Sequence, residues 1–288
     1  MKLLGVAKVS VVIAFDLFAL LMLFKDNPFV ALGIVTVISL YSWLGGYLSL
    51  FREGAVSYDK LPSWERQRLE MAKNQLVDDV KNKSGINIKG LKLYLIPGDD
   101  DLQATAYGAN CVSVSRGTLN NADPISLNAV LAHECSHILN LDPEFSRAVF
   151  ASVTVVMAAL SVMSFAMMAI IFLVFLVLDC FKSWLGLLAF RGTTRLSGGL
   201  FGLVQRVIVV IYQTTLSVVS RAAEYRCDAY SASLGYGLQL AHFLELAAPE
   251  SSRRFTLTEA LYRSHPPTEK RVYRLEEYTR TRMLTERK

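Results

Sequence analysis

His133-Glu134-Cys135-Ser136-His137 sets two imidazoles four residues apart, with a carboxylate beside the first. Residues four apart share a helix face, so both rings can turn toward one point and grip a single divalent cation. Zinc suits those donors, and the glutamate next to the first histidine would face the water such an ion carries. An ion held this way polarises a carbonyl and brings the pKa of its water down toward about 7. The neighbouring carboxylate then takes the proton and later hands it to a leaving amine. The pattern predicts peptide-bond hydrolysis, with His133 and His137 as zinc ligands and Glu134 as the base.

Two histidines leave a catalytic zinc site one protein ligand short. Of the four histidines in the chain, the other two are His242 and His265. His242 sits in the apolar stretch Leu240–Leu246 and reads as a structural residue. A carboxylate is then a candidate third ligand. Ser220-Arg221-Ala222-Ala223-Glu224-Tyr225-Arg226-Cys227-Asp228 offers two at helical spacing. Glu224 could bind the metal while Asp228 accepts a hydrogen bond from the far nitrogen of His133, which would fix that ring's tautomer. Taken alone, the same two carboxylates read more simply as a solvated helix face.

The elements that must position these groups are partly apolar. With 52% hydrophobic residues and a mean hydropathy of +0.34, the chain is too apolar for an ordinary soluble domain. Four apolar runs carry the excess: Leu3–Phe24, Phe29–Phe51, Ala148–Leu178 and Leu196–Val219. Each reaches the roughly 20 residues that cross a bilayer. The third exceeds that length, so its helix should protrude or kink; Gln205, Arg206 and Gln213 weaken the fourth. The first reads as half of a retained hairpin and not a cleaved leader, because Asp16 interrupts it and no small-x-small site follows.

Between the hairpins, a helix is expected from an N-cap at Ser63, through Leu69, Ala72, Leu76 and Val80, to a stop at Gly85. Leu91, Leu93 and Leu95 alternate as a strand. Gln103–Tyr107 and Cys111–Ser115 flank a turn at Gly108-Ala109-Asn110. Asp123-Pro124 starts a helix that carries the metal motif to about Leu139. The expected plan is a transmembrane hairpin over 1–51, a catalytic segment over 52–147, a second hairpin over 148–220 and a second catalytic segment over 221–288. If both segments share one metal, the second hairpin crosses an even number of times and they lie on one face. Lys182, Arg191 and Arg195 in the third connection blur the charge rule, but Arg52, Lys60, Arg66 and Arg68 make that face cytoplasmic. Asp16 and Arg206 fall at similar depths and are expected to pair; the alternative sets Arg206 in a wet cleft and Asp16 against Lys8.

The net charge of +5 fits contact with anionic lipid, and no basic stripe with interleaved aromatics points to nucleic acid. The four cysteines show no C-x-x-C spacing and read as free thiols in a reducing compartment. Two rival classes remain: a catalytically silent scaffold with a structural zinc, and a transporter. The second is weak, since no pair of broken helices is visible.

At these residues the chain resembles the HtpX-type membrane-bound zinc metalloproteases, relatives of the CAAX prenyl endopeptidases. His133 to Asp142 follows that family's H-E-x-x-H-x-x-N-x-D, and Ser220 to Asp228 follows its S-R-x-x-E-[FY]-x-A-D, with Cys227 in place of alanine. Ser264-His265-Pro266-Pro267-Thr268-Glu269-Lys270-Arg271 follows a C-terminal [ST]-H-P-P-x-x-x-R. The resemblance implies a mainly α membrane protein: four transmembrane helices plus an α+β zincin-like (gluzincin) catalytic domain built from two separated segments. It implies one Zn²⁺ on His133, His137 and Glu224, with Asp228 and Asn140 supporting the ligands. It also implies a multi-pass protein of a bacterial inner (cytoplasmic) membrane with a cytoplasmic catalytic domain, acting on membrane proteins or other polypeptides in quality control or processing. His265 is expected to stabilise the oxyanion, against the alternative of a surface residue at a helix start. Gln103, Ala104, Thr105, Ala106 and Tyr107 stand where the family has N-A-F-A-x and are expected to bind substrate by strand addition; a plain core hairpin is the other reading.

Overall fold

A computed structural model describes residues 2–178, 182–248 and 265–286. It divides into two compact units, residues 1–149 with 217–288, and residues 150–216.

In the first unit, helices α1 (Lys2–Leu23) and α2 (Pro28–Arg52) pack through Leu20, Ala31 and Val35, with Pro28 at the first turn of α2 where its missing N–H costs nothing. Strand β1 (Val56–Ser57) leads to α3 (Ser63–Ser84), which repeats Leu69, Ala72, Leu76 and Val80 on its buried face. Gly85 ends α3 in the left-handed region at φ +68°, its N–H donating to the Lys81 carbonyl. The N-cap falls on Pro62, one residue earlier than expected. Ser63 is already helical and contributes no side-chain cap.

Strands β2 (Lys92–Ile96), β3 (Ala104–Gly108) and β4 (Cys111–Ser115) join β1 in the order β1-β2-β4-β3. The β2–β4 pair is parallel and the other two are antiparallel. Alternation decides the faces. Leu93, Leu95, Val112 and Val114 are fully buried in the core with Leu69, Leu76, Leu127 and Leu131. Tyr94, Thr105, Tyr107, Ser113 and Ser115 alternate with them. The expected hairpin forms, its turn residues Ala109 and Asn110 both at positive φ (49° and 62°), as a tight two-residue β-turn requires.

After α4 (Arg116–Asn121), helix α5 (Pro124–Leu139) opens on Asp123, whose Oδ1 accepts from the N–H groups of Ile125 (2.9 Å) and Ser126 (3.1 Å). Helix α5 is buried almost all round. The unit closes with the first turns of α6 (Asp142–Val177), the end of α7 (Trp184–Ser233), then α8 (Gly237–Ala247) and α9 (Thr268–Glu286). His242 is exposed on α8.

In the second unit, Gln205 Nε2 donates to Ser161 Oγ at 3.0 Å, so a polar residue of the fourth apolar run finds its partner on α6. Phe190 meets Phe175 edge-on at 5.4 Å. Arg191 and Arg195, expected in a connection, lie inside α7: the helix starts at Trp184, because nothing between there and the apolar run breaks it. Among the described residues, four helices are long and apolar enough to cross a membrane: α1, α2, α6 and α7. Asp16 belongs to the first unit and Arg206 to the second. Cys111, Cys135 and Cys227 are buried and not joined in disulfides; Cys180 lies outside the described residues.

Helix α2 docks directly on β3. A Cβ at Gly46 would stand 1.9 Å from the Tyr107 carbonyl oxygen. Arg147 reinforces the joint, donating from Nε to the Ser42 carbonyl and from Nη1 to the Tyr107 carbonyl, both at 2.9 Å. Fully buried Glu144 accepts from the Ala109 N–H at 2.7 Å. Gly46→Ala should therefore cost about 1–3 kcal/mol through forced displacement of the strand. It should lower the unfolding midpoint in detergent, whereas Gly33→Ala, which meets nothing within 4 Å, should not.

Candidate metal centre

The third turn of α5 onward presents His133 and His137 on one face, and α7 brings Glu224 against them. The two Nε2 atoms lie 3.3 Å apart. Glu224 Oε2 is 3.4 Å from His133 Nε2, and Oε1 is 3.6 Å from His137 Nε2. Four ligands at about 2.0–2.1 Å from a tetrahedral zinc sit roughly 3.3–3.4 Å from one another. Two buried donors and the half-buried His137, at 3.3 to 3.6 Å, thus fit such an ion, and without a cation the facing nitrogens and carboxylate would have to share protons. His133, His137 and Glu224 form a group able to hold a metal.

Each donor has a second partner. His133 Nδ1 lies 3.0 Å from Asp228 Oδ1, close enough for a charge contact though out of line for a well-directed hydrogen bond. Asp228 is itself gripped by Arg271, Nε to Oδ2 at 2.8 Å and Nη2 to Oδ1 at 2.6 Å, a bidentate pair. Arg271 Nη1 also stands 3.0 Å from Glu224 Oε2. On the other ring, His137 Nδ1 meets Asp142 Oδ2 at 2.9 Å. Asp142 in turn takes Arg226 Nη2 at 2.6 Å and Lys8 Nζ at 2.8 Å.

The structure therefore brings His133, His137, Glu224 and Asp228 together. His265 arrives as well: its Nδ1 lies 2.9 Å from Glu224 Oε1, so the contact it makes is with a ligand carboxylate. Asn140 lies at the C-terminal end of α5, beyond His137. Its Nδ2 donates to the Ser136 carbonyl at 2.8 Å and closes the end of α5, because the chain turns sharply at Leu141 (φ +52°). The carboxylate at His137 is Asp142, two residues on. Lys8, offered as a neighbour for Asp16, reaches Asp142 at 2.8 Å. From the sequence, Arg271, Asp142 and Arg226 carried no role, and Lys8 none at the metal ligands. The signals for the first two were their places in the His-Pro-Pro and extended histidine motifs. Lys8 carried none, since its partner is remote in the chain.

Glu134 is set by β3. Its Oε2 accepts from the Ala106 N–H at 2.7 Å. The Ser115 N–H donates to the Gln103 carbonyl at 3.0 Å, so residues 103 and 105 bond into β4 while Ala104 and Ala106 present their backbone groups outward; the register shifts after Ala106, and Gly108 pairs with Cys111. The outer edge of this terminal strand runs beside the glutamate.

A paired-histidine helix, a carboxylate from a remote helix and an edge strand beside the base describe a metallopeptidase. Comparison with known proteins agrees. The model of peptidase family M48 matches residues 64–279. Protease HtpX of Haemophilus influenzae is 30% identical over 266 residues, spanning 83% of this chain and 86% of that protein. A protease HtpX homolog of Nostoc sp. is 29% identical over 273 residues, 85% of each. Ste24p of S. mikatae, a crystal structure, superposes with a TM-score of 0.51 at 16% identity over 91% of this chain; the chain spans 61% of that protein, and the likeness shows the fold. The chain belongs to peptidase family M48.

Burial opposes charge on His133, but Asp228 and Glu224 outweigh it and push its pKa up to about 9. His137 is raised well above its ordinary value, burial again being outweighed by Asp142. A metal ligand must be a neutral imidazole, so an entering cation displaces these protons. Zinc affinity should therefore rise with pH up to about 9, by about tenfold per pH unit for each proton displaced. Competition titrations at several pH values would measure it; a flat profile would contradict the protonated histidines. Lys8→Met, by loosening Asp142, should weaken zinc binding by about tenfold in the same assay.

Proposed function

We propose that this protein is a zinc endopeptidase of the membrane, hydrolysing peptide bonds of membrane proteins at the cytoplasmic face in their quality control or processing. The observation that carries the chemistry is the meeting of His133, His137 and Glu224 beside a glutamate fixed by an edge strand. Zinc, when bound, would act as a Lewis acid on the scissile carbonyl and acidify a water.

The chain's own residues do the rest. Oε2 of Glu134 is held by the Ala106 N–H, which leaves Oε1 to take the proton and return it to the leaving amine. Ala104, with its outward N–H and C=O, and Ala106, with its outward C=O, can pair with a substrate strand. His265, 2.9 Å from Glu224 Oε1, would orient that carboxylate and stabilise a developing oxyanion. Asp228 and Asp142 keep the two imidazoles turned.

Membrane proximity follows from spacing along the chain. The apolar run of α6 begins at Ala148, shortly after Asp142, and that of α7 ends at Val219. Ser220 to Ala223 then spans roughly 6–8 Å of helix before Glu224. Cytosolic loops and membrane-flanking segments are the expected substrates, and segments 52–147 and 221–288 make one catalytic body on that face.

Glu134→Gln should retain zinc yet lose roughly 10²–10⁴-fold in turnover, because an amide cannot accept the proton. Glu224→Ala should lose the metal. Zinc content and hydrolysis of a membrane-tethered peptide, measured on detergent-purified protein, test both; full activity in Glu134→Gln would reject the mechanism, and bound zinc with no hydrolysis by wild type would favour a silent scaffold.

A further inference from the structure

The sheet face turned away from the core meets an apolar side chain at Leu50, which clusters with Tyr107 and Cys111. The same face forms one wall of a cavity of about 360 Å³, and the C-terminal end of α2 closes the other side. Thr105, Tyr107, Ser113 and Ser115 line it from the sheet; Ser49 and Glu53 line it from the helix. Ile96 and Ala104 complete the lining, and buried Ser115 is partnered within the chain, its Oγ donating to the Asp101 carbonyl and accepting from the Thr118 N–H at 3.0 Å.

The charge of this cavity is one-sided. Glu53 supplies a carboxylate to the wall, and the Tyr107 hydroxyl donates to it. Asp99, on the adjoining Asp99-Asp100-Asp101 stretch, accepts from the amide of Gln103, another lining residue. Arg116, at the corner where β4 meets α4, is committed elsewhere: to Glu65 at 2.8 Å and to the Pro97 carbonyl at 3.1 Å. Burial, then Glu53, hold the Tyr107 phenol well above its ordinary pKa, so it stays a neutral donor.

The cavity adjoins the edge along which a substrate strand would lie. Ala104 and Ala106 point their side chains toward the core, and Thr105 points the opposite way into the cavity wall. A peptide paired with the outer edge of β3 alternates its side chains in the same manner, one set toward α5 and the other over the cavity mouth. Thr105 adjoins Ala106, whose N–H holds Glu134, and side chains on one face recur every second residue. A side chain entering the cavity therefore belongs within about two residues of the cleaved bond.

We infer that this cavity is a side-chain subsite for the cleaved strand, that it takes lysine or arginine, and that Glu53 selects it. The assignment rests on the peptidase reading above and names the substrate class that the same site prefers.

The test uses full-length, zinc-loaded protein in detergent and peptides that differ at one position at a time, carrying Lys, Arg, Gln, Leu or Glu. Wild type should cleave Lys and Arg peptides about tenfold or more faster than the Glu peptide in kcat/KM at one position near the cleaved bond. Glu53→Gln should bring that ratio near one, and Glu53→Lys should invert it. Thr105→Phe, which fills the mouth and leaves the charge, should shift preference from long side chains to small ones. A basic-to-acidic ratio unchanged in Glu53→Lys, or no position with a basic preference, would overturn the assignment. Anisotropy of labelled peptides on Glu134→Gln protein separates the two readings. Preferential binding of basic peptides with no hydrolysis by wild type would keep the subsite and sink the peptidase; hydrolysis without charge preference would sink the subsite alone.

Discussion

Two imidazole nitrogens 3.3 Å apart, with a buried carboxylate against both, make the constraint on which the rest of the molecule depends. Such donors repel one another or contend for protons unless a cation sits among them, so the fold must hold them in place. Helix α5 is suited to that: capped by Asp123 and buried almost all round, it leaves its histidines little freedom. Helix α7 serves the same end from a distance, carrying Glu224 near the C-terminal end of a helix that spans Trp184–Ser233.

Charges buried this close need partners, since an unpaired buried ion is costly. The site meets the need with two separate clamps. Arg271 closes on Asp228 and Glu224 behind His133. Lys8 and Arg226 close on Asp142 behind His137. Lys8 belongs to α1, where a Cβ at Gly5 would collide with the Asn140 carbonyl, so the first apolar helix sits hard against the end of the metal helix. An element that composition assigns to membrane anchoring is thus also part of the support for a metal ligand.

The edge strand receives equal care. Gly46 of α2 touches the Tyr107 carbonyl, Arg147 bonds the same oxygen, and Glu144 holds the turn at Ala109. These contacts fix β3 from its far end while its outer edge keeps the Ala106 N–H on Glu134. Base and substrate edge are consequently registered by a single hydrogen bond, and α2 sets the position of both.

Local rules made much of this legible in the residues alone. Helical spacing within His133–His137 and within Glu224–Asp228, alternation in Leu91–Leu95, the turn at Gly108-Ala109-Asn110 and the Asp123-Pro124 start are all short-range patterns, and each element formed where its pattern lay. The family, too, could be read from motifs. What the sequence could not decide were pairings between remote residues. Arg271 on Asp228, Lys8 on Asp142 and Glu53 on Tyr107 join residues far apart in the chain, and no periodicity encodes which distant charge a buried carboxylate will meet. Nor could it show that Asn140 ends a helix while Asp142 serves His137, since both lie in one motif and only the turn at Leu141 separates their directions. Sequence determined the donors, because ligand chemistry resides in residue type and local spacing; tertiary structure alone decided what holds them, because a buried charge is answered by whichever group packing brings within reach.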